Sequence, residues 1–168
     1  MECIVNVAPD WGIGRQGALL VSISADLRRF RQLTLGKSVI LGHRTLQTFP
    51  GGRPLKGRRN LILSRDPGLR VEGAEVVNSL PALFQAIRGT ADAQLCVIGG
   101  AAVYALLLPY CRTAQVTKSY VNLDADTFFP DLDADPDWIL EEEGKIQEAD
   151  GVRFQYLKYV NQNPKQWR

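Results

Sequence analysis

Residues 94–107, QLCVIGGAAVYALL, join an apolar strand to a helix through the pair Gly99 and Gly100. The apolar run before the glycines has the length and composition of a buried strand, and the apolar residues after them continue as a helix that ends near Pro109. A glycine turn between a strand and a helix is either a tight turn or a cradle for a phosphate group. The stretch thus predicts one unit of a parallel α/β sheet.

The same alternation extends outward from this unit in both directions. Toward the N-terminus, a helix with Ser24 as its cap and Gly36 as its stop is predicted over SADLRRFRQLTLG, between apolar strands in ECIVNVA, SVILG, RRNLILS and AEVV. Toward the C-terminus, RTAQVTKSYVN alternates like a strand with one exposed face, and WILEEEGKI with VRFQYLKYV predicts a hairpin around QEADG. The predicted fold is α/β: a mostly parallel central sheet with flanking helices and an antiparallel C-terminal edge hairpin.

Length and composition narrow the class of protein. The chain has 168 residues, which suits one domain over residues 1–160, and the polar segment 161–168 is predicted to fray. A net charge of +2 without a basic stripe argues against nucleic acid, and no apolar run is long enough for a membrane. The N-terminus has no secretory pattern, so we expect the cytoplasm.

The cysteine and histidine content argues against a metal centre. Cys3, Cys96 and Cys111 are far apart, and we expect them to be buried free thiols. His43 is the only histidine of the chain, so metal ligands are scarce.

Residues 12–17, GIGRQG, fit the glycine spacing of a dinucleotide fingerprint, but their surroundings do not. Three residues separate the strand from the motif, the helix signal begins only at Ser24, and no acidic residue ends the second strand. The better interpretation is a long, mobile, apolar loop over residues 10–23, with glycine hinges, that acts as a lid over a bound ring system. A packed surface loop remains the alternative.

Asp26 lies in the first turn of the predicted helix, among apolar residues. It is either a charge at a helix N-terminus or, at a cleft, a carboxylate that holds a nitrogen heterocycle through paired hydrogen bonds. Two polar clusters follow strand ends, at residues 43–45 (His-Arg-Thr) and 64–65 (Ser-Arg). Together they suggest a phosphate-bearing ligand, although exposed arginines often have no ligand.

In order along nearly the whole chain, the motifs GIG, ADLRRF, VILGHRT, GRPLKGRRNLILSR, VIGGAAVY, VTKSYV and DADTFFPD resemble those of dihydrofolate reductases. The resemblance implies reduction of 7,8-dihydrofolate to tetrahydrofolate with NADPH, with hydride to C6 and a proton to N5. It also implies a monomer, antifolate inhibitors as ligands and a GIGRQG segment that closes over the nicotinamide.

The resemblance also implies roles for individual residues. Asp26 would be the active-site carboxylate, supported by Thr117, and Arg58 would clamp the glutamate carboxylate of the substrate. The residues implied to contact the substrate are Ile4, Val5, Leu27, Phe30, Phe49, Leu55, Arg58, Ile98 and Tyr104.

For the cofactor, the resemblance implies a cis peptide between Gly99 and Gly100, a phosphate turn at residues 43–45 and a 2′-phosphate site at Ser64 and Arg65. The implied cofactor-binding residues are Asn6, Ala8, Ile13, Gly14, Gly17, Ala18, Leu19, Gly42, His43, Arg44, Thr45, Leu63, Ser64, Arg65, Ile98, Gly99, Gly100, Ala101, Ala102, Val103, Tyr104 and Thr127.

Three positions depart from the family pattern. Val21 and Ser24 stand where bacterial members usually have tryptophan and proline, and Asn6 replaces a small apolar residue. Two other functions therefore stay open: a related reductase of another pterin or of a ribosylated pyrimidine, and a non-catalytic nucleotide-binding homologue. Arg58 argues against the first, because only a substrate that carries glutamate needs this clamp.

Overall fold

The computed structural model describes all residues, 1–168, and has one large sheet between two layers of helices. None of the helices combines the length and apolarity needed to cross a bilayer. The helices are α1 (Ser24–Thr34), α2 (His43–Gln47), α3 (Leu80–Ala86) and α4 (Ala101–Leu107). The strands are β1 (Glu2–Val7), β2 (Gly12–Arg15), β3 (Ala18–Leu19), β4 (Ser38–Gly42), β5 (Arg59–Leu63), β6 (Glu75–Val77), β7 (Leu95–Gly99), β8 (Thr113–Ser119), β9 (Thr127–Phe128), β10 (Trp138–Glu143), β11 (Gln147–Ala149) and β12 (Val152–Asn161).

The large sheet has the strand order β10-β12-β8-β1-β7-β4-β5-β6, with β11 paired to β12. Strands β8, β1, β7, β4, β5 and β6 are parallel, whereas β12 is antiparallel to β8, and β10 and β11 are antiparallel to β12. The predicted fold class is therefore confirmed, including the antiparallel edge. The hairpin turn at Asp150 and Gly151 has both residues at positive φ, as a type I′ two-residue hairpin turn requires.

Apolar residues that alternate along the strands form two clusters, one on each face of the sheet. The larger cluster contains Val5, Ile40, Leu61 and Val97 and includes apolar residues of α3 and α4. The smaller cluster contains Ile4, Val39, Leu41, Leu46, Ile62, Cys96 and Ile98, with Phe30 and Leu33 of α1 packed against it. All three cysteines are buried free thiols, as predicted.

Two local predictions are wrong, each because of a tertiary contact. Ser24 does not cap α1: it is already the first helical residue, and its backbone N–H donates to Asp150 Oδ2 at 2.8 Å. The segment predicted as a long apolar loop, residues 10–23, contains the paired strands β2 and β3, described below.

The C-terminal tail, which the sequence predicts to fray, contacts the domain in the structure. The backbone N–H of Lys165 donates to the carbonyl of Pro109 at 2.8 Å. The half-buried Trp167 donates from Nε1 to Asp92 Oδ1 at 3.1 Å, and its ring lies 6.1 Å from that of Phe84. Polar composition predicted fraying, but one aromatic side chain is enough to anchor a short tail.

Candidate active site

The carboxylate of Asp26 lies where the first turn of α1 meets the centre of the sheet, and it is half-buried. Thr117 Oγ1 donates to Asp26 Oδ1 at 2.6 Å, and Asn6 Nδ2 donates to Asp26 Oδ2 at 3.0 Å. Asn6 and Thr117 are register partners on the parallel strands β1 and β8, so their side chains reach the same point from adjacent strands. Each oxygen of the carboxylate thus has one neutral donor from the protein.

Asp26 has no cation as a partner. None of the ion pairs in the chain includes it. Arg29, on the same helix, instead donates to Gln115 Oε1 at 3.1 Å and lies over the ring of Tyr156, 3.9 Å from its centroid. An ionised carboxylate has about four acceptor sites, so Asp26 keeps capacity on both oxygens for N–H groups of a ligand.

Apolar side chains adjoin this carboxylate on the α1 face of the sheet. Ile4 and Ile98 belong to the smaller cluster, and Phe30, Phe49 and Leu55 pack against it while remaining partly exposed. Leu27, one residue after Asp26, is 53% exposed. An exposed leucine beside a half-buried carboxylate and partly exposed aromatic rings forms a wall that a flat ligand can cover.

Two of the predicted substrate residues, Val5 and Tyr104, belong to the larger cluster. The Tyr104 hydroxyl donates to the carbonyl of Ile4 at 2.6 Å, which ties α4 to β1. Burial is the main reason that the pKa of Tyr104 is raised well above its usual value. Val5 alternates with Ile4 along β1, so its side chain points away from the α1 face.

Arg58 lies near the C-terminal end of α1, with part of its guanidinium committed to the protein. Its Nε donates to Thr34 Oγ1 at 3.2 Å, and Nη1 donates to the carbonyl of Lys56 at 2.6 Å. Desolvation and the nearby positive charge of Arg31 lower the pKa of Arg58, but arginine remains charged at any physiological pH. The remaining N–H groups are available for a carboxylate.

The turns after β4, β5 and β7 meet at the carboxyl edge of the sheet, because β4 pairs with both β5 and β7. The backbones approach closely there: a Cβ added to Gly100 would lie 3.0 Å from Thr45 Oγ1, and one added to Gly42 would lie 3.3 Å from Val103 Cγ2. The peptide between Gly99 and Gly100 is cis, as the resemblance predicted. The glycines leave a backbone-lined cradle that side chains would fill.

Cationic and hydroxyl groups surround this cradle. His43 and Thr45 are half-buried at the start of α2, and Arg44 is exposed beside them. After β5, Ser64 is half-buried and Arg65 is exposed. Neither arginine forms an ion pair within the chain. This donor set fits the phosphates of a dinucleotide, and Leu63, Ala101, Ala102 and Val103 lie on the strand and helix that border it.

The GIGRQG segment forms a small antiparallel sheet in the order β3-β2-β9. Gln16 and Gly17 both have positive φ and form the two-residue turn between β2 and β3. The tip is held by Asp126, whose Oδ2 accepts from the backbone N–H of Gln16 at 2.8 Å. Gly17 therefore serves a hairpin, seven positions before α1 begins, and the rejection of the fingerprint is confirmed.

The predicted cofactor residues of this region lie on or next to the small sheet. Gly14 is the register partner of both Leu19 and Thr127. Leu19 is 64% exposed, and the buried Ala8 accepts from Trp11 in the turn that leads into β2. Ile13, Ala18 and Gly17 complete the hairpin. The β2–β3 hairpin pairs with the rest of the protein only through β2, and Leu19 is exposed on β3. Such a hairpin is suited to cover the ring of a bound ligand.

Three residues near the site were not found from the sequence. Ser119 donates from Oγ to Asn6 Oδ1 at 2.7 Å, Asp126 holds the hairpin, and Asp150 accepts from the start of α1. Ser119 follows Thr117 by two residues and so shares its face of β8, a signal that strand alternation carries. Asp126 and Asp150 lie in turns far along the chain, and the sequence contains no signal of their partners.

A family model described as dihydrofolate reductase matches residues 1–161. A dihydrofolate reductase of Mycobacterium leprae is 36% identical over 151 residues, 88% of this chain and 89% of its own length. One of Bacillus subtilis is 31% identical over 153 residues (90% and 88%), and a dihydrofolate reductase type 3 of Salmonella typhimurium is 40% identical over 119 residues (71% of each). The match covers the sheet, the carboxylate and the glycine cradle alike, and this chain belongs to the dihydrofolate reductase family.

Proposed function

We propose that this chain catalyses the NADPH-dependent reduction of 7,8-dihydrofolate to 5,6,7,8-tetrahydrofolate. The observation that carries the proposal is the carboxylate of Asp26, free of cations, with a neutral donor on each oxygen, beside a partly exposed apolar wall. Family membership supports it, since the relatives named above are dihydrofolate reductases. The protein acts as a monomer in the cytoplasm, supplies one-carbon metabolism and binds antifolates at the same cleft.

Asp26 binds the pterin through two N–H groups, the 2-amino group and ring N3, one for each carboxylate oxygen. Two donors on one edge of a heterocycle match the two oxygens, as in other bidentate pairs. Thr117 fixes the carboxylate and contacts the same edge. Asp26 also assists the protonation of N5. A side chain positioned for proton transfer in this way accelerates the reaction.

Leu27, Phe30, Phe49 and Leu55, with Ile4 and Ile98, pack against the pterin and benzoyl rings and exclude water from them. At the other end of the cleft, Arg58 grips the glutamate carboxylate with the N–H groups that Thr34 and Lys56 do not use. Planar guanidinium groups are the best partners for carboxylates. Fixing both ends of the substrate aligns its C6 at the sheet edge, which supplies part of the rate enhancement.

The cofactor is held by the glycine cradle and its cations. When bound, the reduced nicotinamide supplies the hydride that C6 accepts. Gly99 and Gly100 let the backbone approach the cofactor, Arg44 and Thr45 hold its pyrophosphate, and the β2–β3 hairpin covers the nicotinamide. Ser64 and Arg65 bind the 2′-phosphate, so the enzyme prefers NADPH to NADH.

The assay is loss of nicotinamide absorbance by the purified chain with dihydrofolate and with NADPH or NADH in turn. We expect turnover with NADPH and a much higher KM for NADH. Binding of NADPH without turnover would instead indicate a non-catalytic homologue, and turnover only with another pterin or a ribosylated pyrimidine would indicate a related reductase.

The 2′-phosphate site has its own test in Arg65→Ala. Loss of one exposed charge-assisted hydrogen bond raises the KM for NADPH by about tenfold and leaves that for NADH unchanged. The matched control is Arg70→Ala, because Arg70 lies in the same exposed loop but donates only to the carbonyls of Pro67 and Leu69. Equal effects of both variants, or of Arg65→Ala on both cofactors, would place the 2′-phosphate elsewhere.

A further inference from the structure

Asn6 is the one side chain at the carboxylate whose place in the reaction is not explained by the function proposed above. It is half-buried on β1, and both ends of its amide are hydrogen-bonded within the protein. The Nδ2 group donates to Asp26 Oδ2 at 3.0 Å, and Oδ1 accepts from Ser119 Oγ at 2.7 Å. Ser119 is fully buried, so this hydroxyl is fixed in turn.

The orientation of the amide follows from this chain of bonds. An ionised carboxylate only accepts hydrogen bonds, so the NH₂ group of Asn6 must face Asp26 and its oxygen must face Ser119. If the amide were flipped, its oxygen would face the carboxylate and that hydrogen bond would be lost. The Ser119 hydroxyl, which can donate or accept, completes this orientation by donating to Asn6 Oδ1.

Asn6 and Thr117 approach the carboxylate from adjacent strands and bond to different oxygens. With one neutral donor on each oxygen, the plane of the carboxylate is fixed by the sheet and does not depend on the helix alone. Because neither donor carries charge, the carboxylate gains its orientation without being paired to a cation.

We infer that Asn6 is a positioning residue for Asp26, which orients the carboxylate toward the substrate and stabilises its ionised form through an amide that Ser119 fixes. The inference rests on the proposed function of Asp26. It assigns to β1 a part in setting the pH at which the active-site carboxylate takes up its proton.

Other charged and titratable groups around Asp26 do not take this role. Tyr156 of β12 and Tyr104 of α4 are near enough to be influenced by its charge: the pKa of each is raised, first through desolvation and also through the negative charge of Asp26. Arg28 and Arg29 lie on the same helix, and their charges act on Tyr156. Phenols and guanidinium groups keep their charge state near neutral pH, so none of these neighbours switches the charge beside Asp26 there.

The test is a pH titration of carboxyl-labelled aspartate by carbon NMR on the ligand-free protein, in which the Asp26 signal is identified by its absence from Asp26→Asn. Asn6→Ala raises the midpoint of that signal by about one pH unit, the size expected for losing one hydrogen bond to a charged group. Asn6→Asp, which keeps the shape of the side chain, raises the midpoint further because two like charges then share the site. Ser119→Ala shifts it in the same direction by less.

The matched control is Asn161→Ala. Asn161 is also a buried asparagine on the sheet, but it donates to the carbonyl of Cys111, away from Asp26. This variant loses stability without moving the Asp26 midpoint. In the active enzyme, the pH midpoint of single-turnover reduction moves upward in Asn6→Ala by the same amount as the NMR midpoint.

An unchanged midpoint in Asn6→Ala and Asn6→Asp would overturn the inference, and an unchanged midpoint in Ser119→Ala alone would remove Ser119 from it. The function proposed above fails in a different way, because a wild-type protein without reductase activity leaves the NMR titration intact. The two failures are therefore distinguishable.

Discussion

Two aspartates, Asp26 and Asp92, differ in the charge of the groups that surround their carboxylates. Asp26 accepts only from neutral groups, the hydroxyl of Thr117 and the amide of Asn6. Asp92 accepts from Arg112 at 2.9 Å, from Trp167 and Arg168 at 3.1 Å each, and lies 3.5 Å from the N-terminal ammonium group. Both are partly buried, so the difference lies in the charge of their partners.

The consequence appears in the proton affinity of Asp92. Desolvation opposes its ionisation, but hydrogen bonds from Arg112, the charge of the N-terminus and bonds from Trp167 and Arg168 lower its pKa to about 2. Such a group stays ionised throughout the physiological range and joins both chain ends to the domain. A carboxylate that takes part in proton transfer needs neutral partners, whereas one that anchors the fold is best surrounded by cations.

The strongest test of this comparison is the pair Asp26→Asn and Asp92→Asn. Asp26→Asn lowers turnover with dihydrofolate at neutral pH by on the order of 10²–10⁴-fold, the usual contribution of a positioned acid or base. Its affinity for NADPH, measured by fluorescence, is unchanged. Asp92→Asn keeps wild-type turnover at a temperature at which it is folded, and full activity in Asp26→Asn would refute the role of Asp26.

A second test concerns Arg58, the cation of the cleft, which forms no ion pair with Asp26. Arg58→Leu weakens dihydrofolate binding by about 2–5 kcal/mol, as expected when one partner of a desolvated charge pair is removed. The matched control is Arg59→Leu, because Arg59 is the next residue but pairs with Glu75 at the surface, at 2.7 Å. Equal losses in the two variants, or no loss in either, would place the clamp on another residue.

The anchoring role of Asp92 predicts a pH dependence of stability. Its folded pKa of about 2 lies below the ordinary value of 3.8, so its contribution is present above about pH 4 and is lost as the pH falls toward 2. Denaturant unfolding at neutral pH gives a free energy about 2 kcal/mol lower for Asp92→Asn than for the wild type. The difference falls to a small fraction at about pH 2 and disappears at lower pH. A difference that persists there would mean that the carboxyl group acts through packing alone.

The smallest expected effect belongs to a third aspartate, Asp150, which is exposed. Hydrogen bonds from the backbone and side chain of Ser24 lower the pKa of Asp150, so this hairpin turn caps the helix that carries Asp26. Asp150→Asn keeps the turn conformation and an acceptor oxygen, whereas Asp150→Ala removes the cap. We expect the melting temperature to fall more in Asp150→Ala than in Asp150→Asn, and in both less than in Asp92→Asn. Equal melting temperatures for both variants and the wild type would show that the cap does not stabilise α1.

The sequence alone determined the sheet and its helices, because these depend on patterns within short windows. Alternation and apolar runs mark the strands, and the resemblance carried by the ordered motifs predicted roles for Asp26, Thr117, Arg58 and the glycine pair. Asn6 was visible as a departure from the family pattern, but its contact with Asp26 was not, since the two lie twenty positions apart on different elements.

Only the tertiary structure decided which partners those groups have. The cap of α1 comes from Asp150, 126 positions away, the hairpin tip is held by Asp126, and a polar tail is anchored by Trp167 on Asp92. Hydrogen bonds of this kind join turns and termini that carry no periodic signal, and each depends on where the sheet brings distant segments. The local pattern of a chain fixes its elements through backbone and burial preferences, while the partners of its polar groups are fixed by packing.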